Sequence, residues 1–111
     1  MKVENRIKKQ KDFENILNFG KKIRCDQFSL SFKRNELGYT RIGVSIPTKT
    51  GNAVVRNRIK RQIKAMIASS LVLDSPLDMV IITRKDYSIG NFQSNEQVLR
   101  ELLKKTGANI K

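Results

Sequence analysis

Residues 49–64 read KTGNAVVRNRIKRQIK, a glycine-containing turn followed by a strongly basic helical pattern. At 100° per residue the apolar side chains of this region share one helix face, and the cations occupy the rest of the circumference. The apolar face comprises Val55, Ile59, Ile63, Met66 and Ile67. The pattern predicts a helix over residues 53–70 that buries one face in the core.

The basic face has an unusual arrangement of charge. Arg56, Lys60 and Lys64 follow one another at i,i+4 spacing, and Asn57 and Arg61 form a second row beside them. Like charges at this spacing cost an isolated helix roughly 0.2–0.5 kcal/mol per pair. A solvated helix face usually mixes acids with its cations, but no acid occurs between Glu36 and Asp74. The helix is therefore predicted to face an anionic partner.

Composition narrows the class of partner. The chain has 111 residues, enough for one domain, and a formal net charge of +13. With a pI near 10.3, it attracts polyanions, which in a cell are nucleic acids or anionic membranes. The longest aliphatic run, residues 79–82, is far shorter than the ~18 residues needed to cross a bilayer. No secretory signal precedes it, so we expect a cytoplasmic protein without a membrane partner.

The chain lacks the residues of most catalytic sites. Histidine is absent, and Cys25 is the only cysteine. The ten carboxylates are scattered and form no recognisable acidic metal motif. We therefore predict no catalytic residue in this chain and no metal site built by the protein alone.

The first part of the chain predicts a flexible basic tail and a short helix. Residues 1–11 are mostly basic and polar, which is typical of a segment that orders on a polyanion. Asp12 is the predicted N-cap and Gly20 the C′ residue of the first helix. Phe13 and Leu17 are i,i+4 partners on this helix. They could pack in the core or form an apolar wall for unstacked bases.

Two alternating stretches follow, residues 23–34 and 40–46, with a further short strand as an option near residues 22–24. We predict that the two stretches pair as an antiparallel hairpin across the turn at residues 35–38. One face of the pair is apolar. The other presents small or polar groups that could form the floor of a shallow groove: Ser29, Ser31, Arg41, Gly43 and Ser45.

The last part of the chain predicts a short buried strand over residues 78–83 and a closing helix over residues 95–105. The element order is thus α-β-β-α-β-α. If the strands on either side of the basic helix are parallel, they form a β-α-β unit.

The stretch from Lys49 to Lys64 resembles the protein component of bacterial ribonuclease P. It matches the family signature K-x-G-x-A-V-x-R-N-R-x-K-R-x-x-[RK] throughout. Further similarity covers most of the chain, at residues 5–9, Asp12-Phe13, Gly20, Gln27-Phe28 and residues 41–45.

The resemblance implies an α/β fold, an α+β sandwich whose mostly antiparallel central sheet contains a left-handed β-α-β crossover through the basic helix. It also implies a subunit of the ribonucleoprotein that removes the 5′ leader from precursor tRNA. A large RNA partner would hold the catalytic Mg²⁺ ions and cut the phosphodiester, with no protein partner required. The protein would bind that RNA and the 5′ leader.

Site residues are implied by the match to the signature. The residues predicted to bind the catalytic RNA are Arg6, Lys49, Arg56, Asn57, Arg58, Lys60, Arg61 and Lys64. The leader groove would comprise Phe13, Leu17, Ser29, Ser31, Asn57 and Arg61, with Asn57 and Arg61 as the helix residues nearest the groove. Ser31 departs from the aromatic residue that some relatives carry on the groove floor, which predicts weaker base stacking there.

Two other functions compete with this one. Composition alone favours a non-catalytic RNA-binding protein of another kind, such as a ribosomal protein. An autonomous nuclease is the third option, and it conflicts with the missing histidine and scattered acids.

Overall fold

The computed structural model describes residues 3–111 and contains three helices and four strands over that range. In chain order these are α1 (Gln10–Phe19), β1 (Lys21–Arg24), β2 (Phe28–Arg34), β3 (Arg41–Ser45), α2 (Ala53–Ser70), β4 (Leu77–Thr83) and α3 (Phe92–Lys105). Short 3-10 turns occur at Val3–Asn5, Thr48–Thr50 and Ile89–Asn91. The mixed α+β class predicted from the sequence is confirmed.

The four strands form one sheet in the order β1-β2-β4-β3. The predicted hairpin between residues 23–34 and 40–46 is wrong, because β4 lies between β2 and β3 and pairs with both. Met79, Val80 and Ile81 of β4 are all fully buried. A strand that is apolar on both faces buries the most apolar surface in the middle of a sheet. β2 therefore pairs with β4 rather than with β3.

The predicted strand over residues 23–34 is also two strands. β1 and β2 form an antiparallel pair, with Lys21 opposite Phe32 and Arg24 opposite Ser29. The residues between them form the turn, so the optional short strand near residues 22–24 exists as β1.

The basic helix connects two parallel neighbours. β3 pairs with β4 in parallel, and α2 joins them as a β-α-β unit with the predicted bounds, Ala53–Ser70. The left-handed sense of this crossover stays a prediction from the resemblance.

The two faces of the sheet carry unequal cores. The larger core lies against α2 and α3 and includes Phe28, Leu30, Ile63, Met66 and Leu99, all fully buried. The smaller core lies under α1, where Ile7, Ile16 and Val80 are buried and Phe13, Leu17 and Ile82 pack against them. α1 is therefore held by few apolar contacts and depends on other interactions for its position.

The ends of α1 differ from the prediction. The helix begins at Gln10 rather than after Asp12, and Lys9 at the N-cap makes no side-chain capping bond. Asp12 instead lies in the first turn and faces Arg41, 3.4 Å away. Gly20 follows the helix with φ −77°, so it does not adopt the left-handed C′ conformation.

Gly20 is required for a different reason, a close approach of α1 to β2. A Cβ atom at this position would lie 2.5 Å from the Ile16 carbonyl oxygen and 2.8 Å from the Phe32 carbonyl oxygen. Both neighbours are backbone atoms that cannot turn away, so only glycine fits between the helix end and the sheet.

The closing helix starts at Phe92, three residues before the predicted position. Asn95 lies inside this helix, where its buried side-chain amide donates to the Ser88 carbonyl at 2.8 Å. The asparagine thus anchors the preceding loop rather than capping the helix.

Part of the N-terminal segment packs along β3. The Ile7 N–H donates to the Ile42 carbonyl at 3.0 Å, and the buried Asn5 amide donates to the Thr40 carbonyl at 2.7 Å. Arg6 between them forms a parallel bridge with Ile42. Residues 1 and 2 of the predicted flexible tail lie outside the described residues, and the flexibility of residues 1–11 stays a prediction.

We expect Gly20→Ala to lower the free energy of unfolding by about 1–3 kcal/mol, because the added methyl overpacks the junction of α1 with β2. Urea denaturation followed by circular dichroism measures this change. The matched control is Gly90→Ala, where the nearest atom to a new Cβ is the Ser88 hydroxyl oxygen at 4.0 Å. Equal stability of the two variants would contradict the close approach.

Candidate nucleic-acid interface

The cations of α2 lie on the surface. Arg58, Lys60, Arg61 and Lys64 are exposed, together with Asn57. The helix starts at the N-cap Asn52, whose side-chain oxygen accepts from the Val55 N–H at 3.0 Å. Within residues 3–111, ion pairs form only at Arg41 and Lys104. The positive charge of α2 is therefore not neutralised by acids of the described chain.

Arg56 differs from the other cations of the helix. It is half-buried, and its Nε donates to the Gly51 carbonyl at 3.2 Å. This bond ties the first turn of α2 to the loop before it. Arg56 therefore shapes the helix start as well as carrying charge.

A groove lies between α1 and α2 along β3. Its cavity of about 190 Å³ is lined by Arg6, Ile7, Phe13, Ile42, Gly43, Val44, Lys60 and Lys64. Because Ile59 and Ile63 turn inward to the core, the neighbouring positions 60 and 64 flank the sheet on this side. The cavity thus has an aromatic ring on one wall and lysines on the other.

Phe13 lies directly over Gly43. A Cβ at Gly43 would fall 2.5 Å from the tip of the Phe13 ring, so the absence of a side chain lets the ring approach the sheet. Phe13 also packs with Leu17 against the smaller core. Phe13 thus packs against the smaller core and also lines the groove.

The remaining predicted groove residues are placed differently. Ser29 is half-buried, whereas Ser31 is 1% exposed and its hydroxyl has no hydrogen-bond partner among the described residues. Asn57 and Arg61 are exposed on α2 but do not line the cavity, which Lys60 and Lys64 reach instead. The cavity is thus lined by the lysine row of α2, and the proximity of Asn57 and Arg61 to a bound leader stays a prediction.

An ion-pair network under α1 escapes sequence reasoning. Arg41 donates to both carboxylate oxygens of Asp78, at 2.9 Å from Nε and 2.6 Å from Nη2. Its Nη1 also lies 3.4 Å from Asp12 of α1. The hydrogen bonds that Arg41 donates to Asp78 raise the pKa of the Arg41 guanidinium. Asn35 completes the network by donating to Asp78 at 2.8 Å.

A second basic cavity lies where β3 and β4 end. It has a volume of about 590 Å³ and is lined by Pro47, Lys49, Thr50, Thr83, Arg84, Lys85 and Tyr87. Burial raises the pKa of Tyr87 to about 12, so this phenol stays neutral. Arg84 and Lys85 were not predicted as site residues, although they directly follow a buried strand. Since β3 and β4 are parallel, their carboxyl ends bring these cations beside Lys49.

The described chain offers little for metal or membrane binding. Residues 3–111 bring no three His, Cys, Asp or Glu side chains together as ligands for a metal ion. The carboxylates present therefore do not fit a Mg²⁺ site made by this part of the chain alone. None of its helices combines the length and hydropathy that crossing a bilayer requires.

Comparisons with known proteins agree with the sequence signature. The model of the family described as Ribonuclease P matches residues 1–107. A ribonuclease P protein component from Streptococcus agalactiae is 37% identical over 107 residues, covering 96% of this chain and 98% of the relative. The corresponding component from Bacillus velezensis is 38% identical over 110 residues, covering 96% and 92%.

Solved structures show the same fold. A Staphylococcus aureus RNase P protein mutant with defective mRNA degradation activity superposes with a TM-score of 0.80 at 29% identity, covering 96% of this chain and 91% of that one. The RNase P protein from Thermotoga maritima gives a TM-score of 0.81 at 28% identity, covering 90% and 96%. These similarities favour the first of the three functions over a ribosomal protein or an autonomous nuclease.

We expect Asp78→Asn to lower the free energy of unfolding by about 2–4 kcal/mol, since it leaves Arg41 without its main carboxylate. The side chains of Arg41 and Asp78 are only 21% and 12% exposed, so solvent replaces the lost partner poorly. Urea denaturation measures the loss.

The matched control for this variant is Glu101→Gln, which breaks an ion pair whose partners are 51% and 59% exposed. Such a surface pair contributes about 0–1 kcal/mol. Similar losses of unfolding free energy in both variants would show that burial does not strengthen the ion pair between Arg41 and Asp78.

Proposed function

Because the chain belongs to the ribonuclease P protein family and is a subunit of that tRNA-processing endonuclease, we propose that α2 binds the catalytic RNA while the groove beside Phe13 holds the 5′ leader. The observation that carries this proposal is the row of exposed cations on α2, which no acid of the described chain neutralises. Phosphates of an RNA would offset the electrostatic repulsion between the cations of this row.

The two proposed RNA contacts use neighbouring rows of side chains on α2. Asn57, Arg58 and Arg61 are exposed and do not line the cavity. They are suited to a large folded RNA, whose phosphates guanidinium groups bind by forked hydrogen bonds. Lys60 and Lys64 line the cavity together with Arg6 and Phe13. We assign the first set to the catalytic RNA and the second to the leader, and Lys49 extends the basic surface at the start of α2.

The shape of the groove favours a single strand. An aromatic wall with facing cations allows one unstacked base to rest on a ring while its phosphates contact lysines. A duplex hides its bases and would gain nothing from Phe13 or Leu17. The proposed ligand of the groove is therefore the unpaired 5′ leader of precursor tRNA.

The chemistry of cleavage belongs in this proposal to the RNA partner. The family is metal-dependent, and Mg²⁺ would be held mainly by the RNA, since the described carboxylates do not form a metal site. The chain contributes binding: it raises the affinity for precursor over product through the leader. We place this activity in the cytoplasm, with the RNA partner and the precursor as its only required partners.

The decisive experiment is cleavage of a precursor tRNA by a bacterial ribonuclease P RNA at low Mg²⁺, with and without this chain. We expect the chain to stimulate cleavage only when the RNA is present. A protein-alone reaction is the control, and Mg²⁺-dependent cleavage there would place the active site in the protein. Tight RNA binding without stimulation would support a generic RNA-binding role instead.

Removing the lysine row should weaken binding of precursor. For Lys60→Ala/Lys64→Ala we expect the slope of log K against log salt to become shallower by about 0.7–0.9 per lost phosphate contact. Filter binding at several KCl concentrations measures the slope. Lys104→Ala/Lys105→Ala on α3 removes the same charge and serves as control. An equal change of slope in both variants would show that the effect depends on net charge alone.

Phe13→Ala should discriminate between precursor and mature tRNA. Loss of one stacked base costs about 1–3 kcal/mol, so we expect the holoenzyme to bind precursor about 5-fold more weakly or worse. Mature tRNA has no leader, and its affinity should stay unchanged. Equal losses for the two ligands would contradict the assignment of the groove.

A further inference from the structure

Phe19 forms an exposed aromatic surface away from the groove. This last residue of α1 is 76% exposed, whereas most large apolar side chains of the described chain are buried or half-buried. It lies beside β1 and β2, at the edge of the sheet opposite β3. The surface is therefore separate from the groove that Phe13 lines along β3.

A small cavity beside Phe19 combines aromatic and cationic walls. It has a volume of about 300 Å³, at the lower end of the range for ligand pockets. The residues that line it are Phe19, Gly20, Lys21, Phe32, Lys33, Arg34 and Leu77. Three of them are cations and none is acidic, so the cavity offers an apolar floor under a positive field.

The helix end that carries Phe19 is held against the sheet. Gly20 fits so closely between α1 and β2 that the helix end is fixed against the sheet. The Lys33 ammonium lies 5.9 Å from the ring centroid, at the outer limit of a cation–π contact, and 3.2 Å from the Asn15 side-chain oxygen. The backbone of the helix end is thus fixed, while the Phe19 side chain stays largely exposed.

We propose that this site is a second single-strand RNA contact, in which an unpaired base stacks on Phe19 and the adjoining phosphates contact Lys21, Lys33 and Arg34. Stacking on an aromatic ring beside a positive groove is a general mode of binding to single strands. The inference rests on the proposed RNA-binding function but concerns the opposite edge of the sheet.

The charge of the cavity favours RNA over a protein or a second copy of this chain. An apolar protein surface docked on Phe19 would remove three cations from water without neutralising them, which is costly. A second copy carries the same net charge of +13 and would add repulsion. A polyanion gains from both components of the site, since the base covers the ring and the phosphates neutralise the cations.

Binding of a fluorescein-labelled, unstructured 20-nucleotide RNA tests the site by fluorescence anisotropy. We expect Phe19→Ala to raise Kd about 5-fold or more, the loss of one stacked base. Phe19→Tyr keeps the ring and should bind like the original chain. Leu37→Ala removes another exposed apolar side chain, 46% exposed and outside the cavity, and serves as the matched control.

Loss of folding cannot imitate this result, because thermal unfolding of each variant is recorded alongside. Equal Kd values for Phe19→Ala and the original chain would overturn the proposal. So would an equal loss in Leu37→Ala, which would indicate a nonspecific apolar effect. A dimer in analytical ultracentrifugation that Phe19→Ala abolishes would replace RNA by a second copy as the occupant.

Photo-crosslinking identifies the source of the strand. Ribonuclease P RNA and precursor tRNA are prepared separately with 5-iodouridine, and each is assembled with the full chain and the unlabelled other RNA. A crosslink at Phe19 from the first assigns the site to the catalytic RNA, and one from the second to the substrate. Crosslinks near Phe13 with none at Phe19 would overturn this inference while leaving the proposed function intact.

Failure of the proposed function has a different signature. In that case Lys60→Ala/Lys64→Ala would bind precursor as the original chain does, whatever the result at Phe19. The two sites are thus tested by separate substitutions at opposite edges of the sheet.

Discussion

The ion pair between Arg41 and Asp78 is the interaction on which the functional face depends. It joins the two parallel strands β3 and β4, and through Asp12 it reaches α1. Only Ile16 of α1 is fully buried, so the apolar contacts of this helix are few. Charge as well as packing therefore holds Phe13 over Gly43, and with it one wall of the groove. A buried charge that loses its partner is costly, which makes this arrangement specific.

Sequence reasoning succeeded where periodicity is strong. The apolar stripe of α2 predicted both its bounds and its buried residues Ile59, Ile63, Met66 and Ile67. In an amphipathic helix the spacing of the apolar residues shows which face is buried. The same reasoning failed for strand pairing. A hairpin between neighbouring strands is the local solution, but the choice of partner depends on β4, which comes more than thirty residues later.

The errors at the site have the same origin. Arg41 and Asp78 are 37 positions apart and meet only through the register of β3 with β4. Asp12 was predicted as a cap because its local context is that of a cap, whereas its partner Arg41 comes from the sheet. Lys60 and Lys64 line the cavity rather than Asn57 and Arg61 because the tilt of a helix on its sheet is a property of tertiary packing. The RNA-binding roles of all four residues stay predictions. The chemical character of each segment could be predicted from the sequence, but the residues that contact one another across the fold could not.

The segment from Asn5 to Ile7 affects how readily the free protein aggregates before it binds RNA. An open strand edge is a template on which copies of a protein can add to one another's sheets. On one side of this sheet the backbone of that segment already pairs with β3 at Ile42. On the other side β1 presents Lys21, Lys22 and Arg24, all exposed, so an approaching copy meets like charge. The newly made subunit is thereby guarded against stacking into fibres, by backbone pairing at one margin and by electrostatic repulsion at the other.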